Sequence, residues 1–275
     1  MAGKSGGLFS AGMVVLTLAG SACGYDGGSN PTGPGYGDTA AMATPAGPAI
    51  SAAEGRSEFR VFTATGDIAA RLAEFRITLG DPANGGAPGP LEKGRREIKW
   101  DGAPAEMPGD FFNTTVKAGA IFTTDGIGFR NSDNDFSEIN PAYADDFNAF
   151  SLPKTFMPIG SEELTVSFRV PGAETPAATR GFGVVFSDVE RHGAASIKLF
   201  DAEGRSLGQY HAPLRSDPAG FSFVGVVFEL PIVAEVQITS GQRALGDGVQ
   251  DLSDGGNLDL AVMDDYLYAE PQAIP

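Results

Sequence analysis

The chain has 275 residues, 42% of them hydrophobic, and its 19 Lys and Arg against 35 Asp and Glu leave a net charge of -16. That length buries a sizeable core in one large or two small domains, and the pattern reads as one. The acidic balance excludes nucleic acid as a partner, because phosphate binding needs clustered Lys and Arg. With 38 Gly, 19 Pro and 19 Phe, the composition predicts short strands joined by tight turns, and not a helical bundle.

Residues Met1 to Ala22 read as a signal peptide: Lys4, an apolar run from Leu8 to Leu18, then small residues up to Cys23. The run is too short to span a bilayer, which takes about 20 apolar residues. The stretch Leu18-Ala19-Gly20-Ser21-Ala22-Cys23 resembles a bacterial lipobox, and Cys23 is the single cysteine of the chain. The resemblance implies lipidation of Cys23, contact with the membrane only through that lipid, and residence in the cell envelope at the outer membrane or surface. Ordinary secretion with cleavage after Ala22 is the alternative. Residues 23–56 hold almost no large apolar side chain and read as a flexible linker after the lipidated Cys.

The domain proper is expected over 57–271, with 272–275 as a tail. A short helix is predicted from Asp67 to Phe75, where Ile68, Leu72 and Phe75 share a face and Thr65 or Asp67 can cap. Gly94 to Gly102 reads as a strand carrying Arg96, Ile98 and Trp100 on one face. Trp100, the lone tryptophan, is either a core residue or a platform on which a sugar stacks. Gly119 to Arg130 reads as a hairpin or bent strand pair turning at Asp125-Gly126. The loop Asn131 to Asp135 offers the oxygens of Asp133 and Asp135, yet it lacks the Gly and Glu that an EF-hand requires. Phe147, Phe150 and Phe156, set among turn residues, are expected to cover an open end of the sheets.

Beyond Pro158 the pattern is cleaner. Leu164, Val166, Phe168 and Val170 alternate with polar residues, as do Ile232, Ala234, Val236 and Ile238, which marks strands with one wet face. Asp201-Ala202-Glu203-Gly204 marks a hairpin between Ile197 to Phe200 and Ser206 to Tyr210. Turn signals recur about every 8 to 12 residues, the spacing of a sandwich. The fold class is therefore all-β, an antiparallel two-sheet jelly-roll sandwich with one short helix near its start.

The last strand, Asp259 to Tyr268, is apolar on both faces and should be central. Plain alternation sends Asp264 and Asp265 to opposite faces and sets Met263 with Leu267, opposite Tyr266 and Tyr268. Burying either carboxylate unpaired costs on the order of several kcal/mol. Two readings stay open. One is a structural calcium held by Asp264 or Asp265 with a second loop, drawn from Asp101, Asp133 or Asp135, and with Asp188 as a further ligand. In the other, these aspartates cap turns or pair with Arg95, Arg96 or Arg130.

The segments Gly94 to Gly102, Gly119 to Thr124, Gly181 to Val189 and Met263 to Tyr268 resemble a group of secreted bacterial proteins of unassigned activity, several of which end in a PEP-CTERM sorting anchor. The second half is similar, more loosely, to galactose-binding-like jelly rolls. That resemblance implies binding of glycan or calcium, seldom catalysis. With two histidines and no Gly-x-Ser-x-Gly turn, a serine hydrolase lacks its usual parts. The expected function is a surface-tethered, non-catalytic binding module for glycan or extracellular matrix material, with Trp100, Tyr266 and Tyr268 as ligand-binding candidates. A structural or partner-docking envelope lipoprotein and a glycan-acting hydrolase are the alternatives.

Overall fold

The computed structural model describes residues 57–113 and 117–275. The signal peptide, Cys23 and the linker lie outside the described residues. In chain order the elements are β1 (Phe59–Thr65), α1 (Ala69–Leu79), β2 (Arg95–Ile98), β3 (Glu106–Pro108), β4 (Ala120–Thr123), β5 (Gly128–Ser132), β6 (Thr155–Ile159) and β7 (Glu163–Phe168). There follow β8 (Ala177–Ala178), β9 (Gly181–Ser187), β10 (Ala195–Phe200), β11 (Ser206–His211), β12 (Phe221–Phe228), β13 (Glu235–Ser240), β14 (Val262–Ala269) and β15 (Gln272–Ala273).

These strands build an antiparallel two-sheet sandwich. The larger sheet runs β1-β12-β9-β14-β6-β5-β3 with β2 also on β14, the smaller runs β11-β10-β13-β7-β4, and β15 with β8 makes a separate ribbon. The alternation read from β7 holds: Leu164, Val166 and Phe168 are buried while Thr165 and Ser167 are half-buried. β9, β12 and β14 are buried on both faces. The reason is a second layer. On one face the larger sheet packs against the smaller around Val184, Phe186, Val224, Val236 and Ile238. On its other face Leu72, Phe75 and Leu79 of α1 pack on Val185, Phe223, Val227 and Leu267.

Seating the helix depends on two glycines. Gly183 of β9 and Gly225 of β12 are register partners. A Cβ on Gly183 would fall 2.7 Å from the Phe75 ring, and one on Gly225 would fall 2.6 Å from it. The paired glycines thus form a depression that the ring fills, edge-on to Phe62 at 5.2 Å and to Phe223 at 5.1 Å. Burial of this apolar face, more than helix propensity, keeps so short a helix folded.

Several boundaries differ from expectation. The helix starts later and runs longer than Asp67 to Phe75: Asp67 stays ahead of it, accepting the Ala69 N–H at 3.2 Å, and the apolar spacing continues to buried Leu79. The Gly119 to Arg130 segment is not a hairpin, because β4 pairs with β7 in one sheet while β5 pairs with β3 and β6 in the other. The turn between them crosses the sandwich. Trp100 leaves the strand after Ile98 and enters a 3-10 turn, Trp100–Gly102. Gln272–Ala273, read as tail, pairs with β8.

The glycine depression makes a direct prediction. Gly225→Ala should destabilise the domain by about 1–3 kcal/mol through overpacking. Combined with Phe75→Leu, the loss should fall short of the sum of the single losses by about 0.5 kcal/mol or more. Urea unfolding of the four proteins measures this, and strict additivity would contradict the packing.

Candidate functional site

β14 is irregular at its acidic dipeptide. Met263 faces Phe186 of β9 and Tyr266 faces Val184, so three steps along β14 match two along β9. The extra residue is a β-bulge. It resets the parity of the strand, and Met263 joins Tyr266 on the inner face, with the Tyr266 hydroxyl 2.9 Å from the Met263 sulfur. The expected split of Met263 from Tyr266 fails for that reason. On the opposite edge β14 has two successive neighbours, β6 at Met263 and β2 from Tyr266 onward. The Asp264 carbonyl falls between them and accepts the Trp100 indole N–H at 2.9 Å.

Trp100 is therefore structural. Its ring is buried, stacked on Phe156 at 3.7 Å and 6°. Tyr266 and Tyr268 are buried as well. The Tyr268 hydroxyl donates to the Ala118 carbonyl at 2.7 Å, and burial holds both phenols above their ordinary range. As ligand-binding candidates these three are corrected: each ring is enclosed by protein and offers no face to a ligand.

The bulge also governs the two carboxylates, both with no exposed surface. Instead of diverging, they converge on Ser151. Its hydroxyl lies 3.1 Å from Asp264 Oδ1 and also reaches Asp265 Oδ1. Asp264 Oδ2 accepts the backbone N–H groups of Phe150 at 2.5 Å and Ser151 at 2.9 Å. Asp265 Oδ2 stands 3.6 Å from the Arg76 guanidinium. Burial, then the neighbouring Asp265, raises Asp264 to about 7. Burial raises Asp265 too, opposed by Ser151, Lys99 and Arg76. One hydroxyl, two backbone amides and the Arg76 guanidinium thus serve two buried carboxyl groups.

None of the arginines expected as partners reaches the pair. Arg95 binds Asp81 and Glu97, Arg130 binds Glu106, and buried Arg96 binds Glu270 through Nε–Oε2 at 2.7 Å and Nη2–Oε1 at 2.8 Å. Burial pushes the Glu270 carboxyl up, but Arg96, the Leu91 N–H and Asn84 outweigh it and hold it below its usual range. The expected calcium set also disperses. Asp101 and Asp133 are exposed and Asp135 is half-buried, and among the described residues none of them gathers with Asp264 or Asp265 into a group that could hold a cation. Burial, Asp145 and Glu138 raise Asp135.

Asp188 belongs to a different cluster. Just past β9 its backbone turns through φ 69°, which brings Asp188 and Glu190 to face Asp251 from the connection between β13 and β14. One carboxylate oxygen of each lies within 4.8 Å of the other two. Arg215 contacts Asp188 at 2.6 Å and Glu190 at 2.5 Å. Asp251 accepts Leu260 N–H at 2.7 Å on Oδ1, and Ser253 N–H at 2.7 Å and hydroxyl at 2.6 Å on Oδ2. Burial raises Asp188 to about 8 against the pull of Arg215, and burial and Asp251 raise Glu190. Asp146 stands nearby, raised to about 6 by burial, Asp254 and Asp251. Glu190, Asp251 and Asp146 were missed in the sequence. The signal was Asp188-Val189-Glu190, two acids one residue apart, beside the Gly- and Asp-rich stretch 246–257.

The sandwich has an apolar groove elsewhere. β1 ends the larger sheet and β11 the smaller, and the Phe59 and Tyr210 rings meet edge to face at 6.0 Å between them. Beside this contact lies a recess of about 840 Å³ whose lining includes Phe59, Leu207, Leu230, Ile232, Glu203 and Arg205. Arg205 pairs with Asp201 and Glu203, both at 2.8 Å.

The acidic pair carries a pH prediction. An unfolded Asp titrates near 3.9, roughly, and Asp264 when folded near 7, so the folded state holds the extra proton between those values. Its contribution is full below about pH 4 and declines as pH rises through about 7. Urea midpoints taken near pH 5 and pH 8 should show the wild type losing more stability on alkalinisation than Asp264→Asn. An equal loss in both proteins would sink the raised titration of Asp264.

No protein-family model matches the chain, and no curated protein matches it. Among solved structures it is similar to the enzymatically active domain of tailspike protein 4 from bacteriophage CBA120, at 15% identity and a TM-score of 0.18. The match covers 48% of this chain and 20% of that one, and a likeness so slight carries no argument about fold or activity.

Proposed function

We propose that the domain is a non-catalytic binding module, held at the cell surface through a lipid on Cys23, that takes glycan or extracellular matrix material in the groove between β1 and β11. The observation that carries this reading is the groove itself, where apolar side chains reach solvent beside charged groups. Leu230 is 58% exposed, and the Arg205 guanidinium side chain is 74% exposed beside Glu203. Small-molecule and sugar sites combine apolar walls with a few polar groups that fix orientation. A glycan-acting hydrolase instead needs two carboxylates flanking an accessible bond. The paired acids of this domain do not suit that role: Asp188, Asp251, Asp264 and Asp265 have no exposed surface.

A partner-docking role is the second reading, favoured by β11, which ends its sheet and can offer backbone groups to an extended chain. Screening the full chain on a glycan array separates the readings. The proposal expects saturable binding that Leu230→Asp weakens at least about tenfold, or about 1.4 kcal/mol, with the melting temperature unchanged. Absence of glycan binding, with capture of an envelope protein by β11, would favour docking. Turnover of a chromogenic glycoside would overturn the non-catalytic reading.

A further inference from the structure

We infer that Asp188, Glu190 and Asp251 form a divalent-cation site, and that the chemistry of its donors selects calcium. The inference is independent of the groove. With its three carboxylates ionised, as cation binding requires, the cluster with its one guanidinium carries two negative charges, which a divalent cation would neutralise. Oxygens sharing one calcium lie at most about 5 Å apart, twice the ordinary Ca–O length, and the three carboxylate oxygens lie within 4.8 Å of one another. An all-oxygen, all-carboxylate donor set suits a hard cation, and donors carried on loops suit the larger and less exacting calcium over magnesium.

A second observation points to a ligand. Asp188 has no exposed surface, and its Oδ1 is occupied by the Ala219 N–H at 3.2 Å and by Arg215. Its Oδ2 has no hydrogen-bond partner among the described residues, and neither has Glu190 Oε2 or the buried Asp146 Oδ2. A buried carboxylate oxygen without a donor is costly. Glu190 Oε2 thus lacks a donor in a cluster where the facing groups of Asp188 and Asp251 are themselves acceptors, and a cation would satisfy it. A cation held there would tie the turn after β9 to the connection between β13 and β14, two segments joined at one end of the sandwich.

Calorimetric titration of the chelator-treated full chain with calcium chloride, alongside thermal melts in calcium and in chelator, tests this. The wild type should bind one cation saturably, with a melting temperature that rises with the logarithm of free calcium. Glu190→Gln should lose both effects while melting in chelator no lower than the wild type, since it removes one of two facing charges. Asp251→Asn, which keeps the hydrogen bond to Leu260, provides a second variant should Glu190→Gln not fold. Absence of heat and of any melting shift in the wild type with calcium, magnesium or manganese would overturn the inference. So would an undiminished calcium effect in both variants, because the cation would then sit elsewhere.

Discussion

β14 has two successive neighbours along one edge, β6 beside Met263 and β2 from Tyr266 onward, and the gap between them cannot be closed by a strand ladder. The bulge at Asp264-Asp265 lies in that gap. Its polar groups, left out of the ladder and buried, would each carry a desolvation cost in the middle of the core, and the surrounding chain is arranged to satisfy them. The Trp100 indole takes the Asp264 carbonyl, while the amides of Phe150 and Ser151 take its carboxylate. Asn148 extends the same seam, its N–H donating to Ser187 Oγ at 2.9 Å. The 3-10 turn after β2 and the loop before β6 are therefore both docked on one defect in the central strand.

Much of this was legible in residue periodicity. β7 and β13 follow the alternation of their residues, and the Asp201 to Gly204 turn closes the β10–β11 hairpin as its residues require. The sandwich follows from these local patterns. What periodicity conceals is what breaks it. A bulge adds a single residue, which no composition marks, and it reverses the face of every side chain on one side of the break. The reversal explains why Met263 was assigned to the wrong face and why two adjacent aspartates meet at one serine. The helix-side layer was equally hidden: nothing in the sequence marks Gly183 and Gly225 as the pair that admits the Phe75 ring from a segment more than a hundred residues earlier in the chain.

Carboxylates were expected to converge, and they do, but in two clusters with different partners. Asp264 and Asp265 lie between backbone amides, Ser151 and Arg76, which supply donors to both carboxyl groups. Asp188, Glu190 and Asp251 lie on loops at a strand end, with one arginine for three acids and oxygens that lack donors. A single strand carries both adjacent aspartates, whereas the second cluster is assembled from segments some sixty residues apart. Sequence proximity is visible without a structure; long-range convergence is not, and Asp188 was singled out without its true neighbours. The aromatic residues most attractive as sugar platforms are spent on the core, which moves the proposed binding surface to the side where β1 and β11 end their sheets.

The central claim is that the bulge in β14 anchors the loop before β6 through the Asp264 carboxylate. Residue-resolved amide hydrogen exchange on the wild type and Asp264→Ala measures it directly. The account predicts that the Phe150 and Ser151 amides exchange as slowly as those of β9 in the wild type, and that in the variant they accelerate many-fold while β9 stays protected. Free exchange at both amides in the wild type would contradict it.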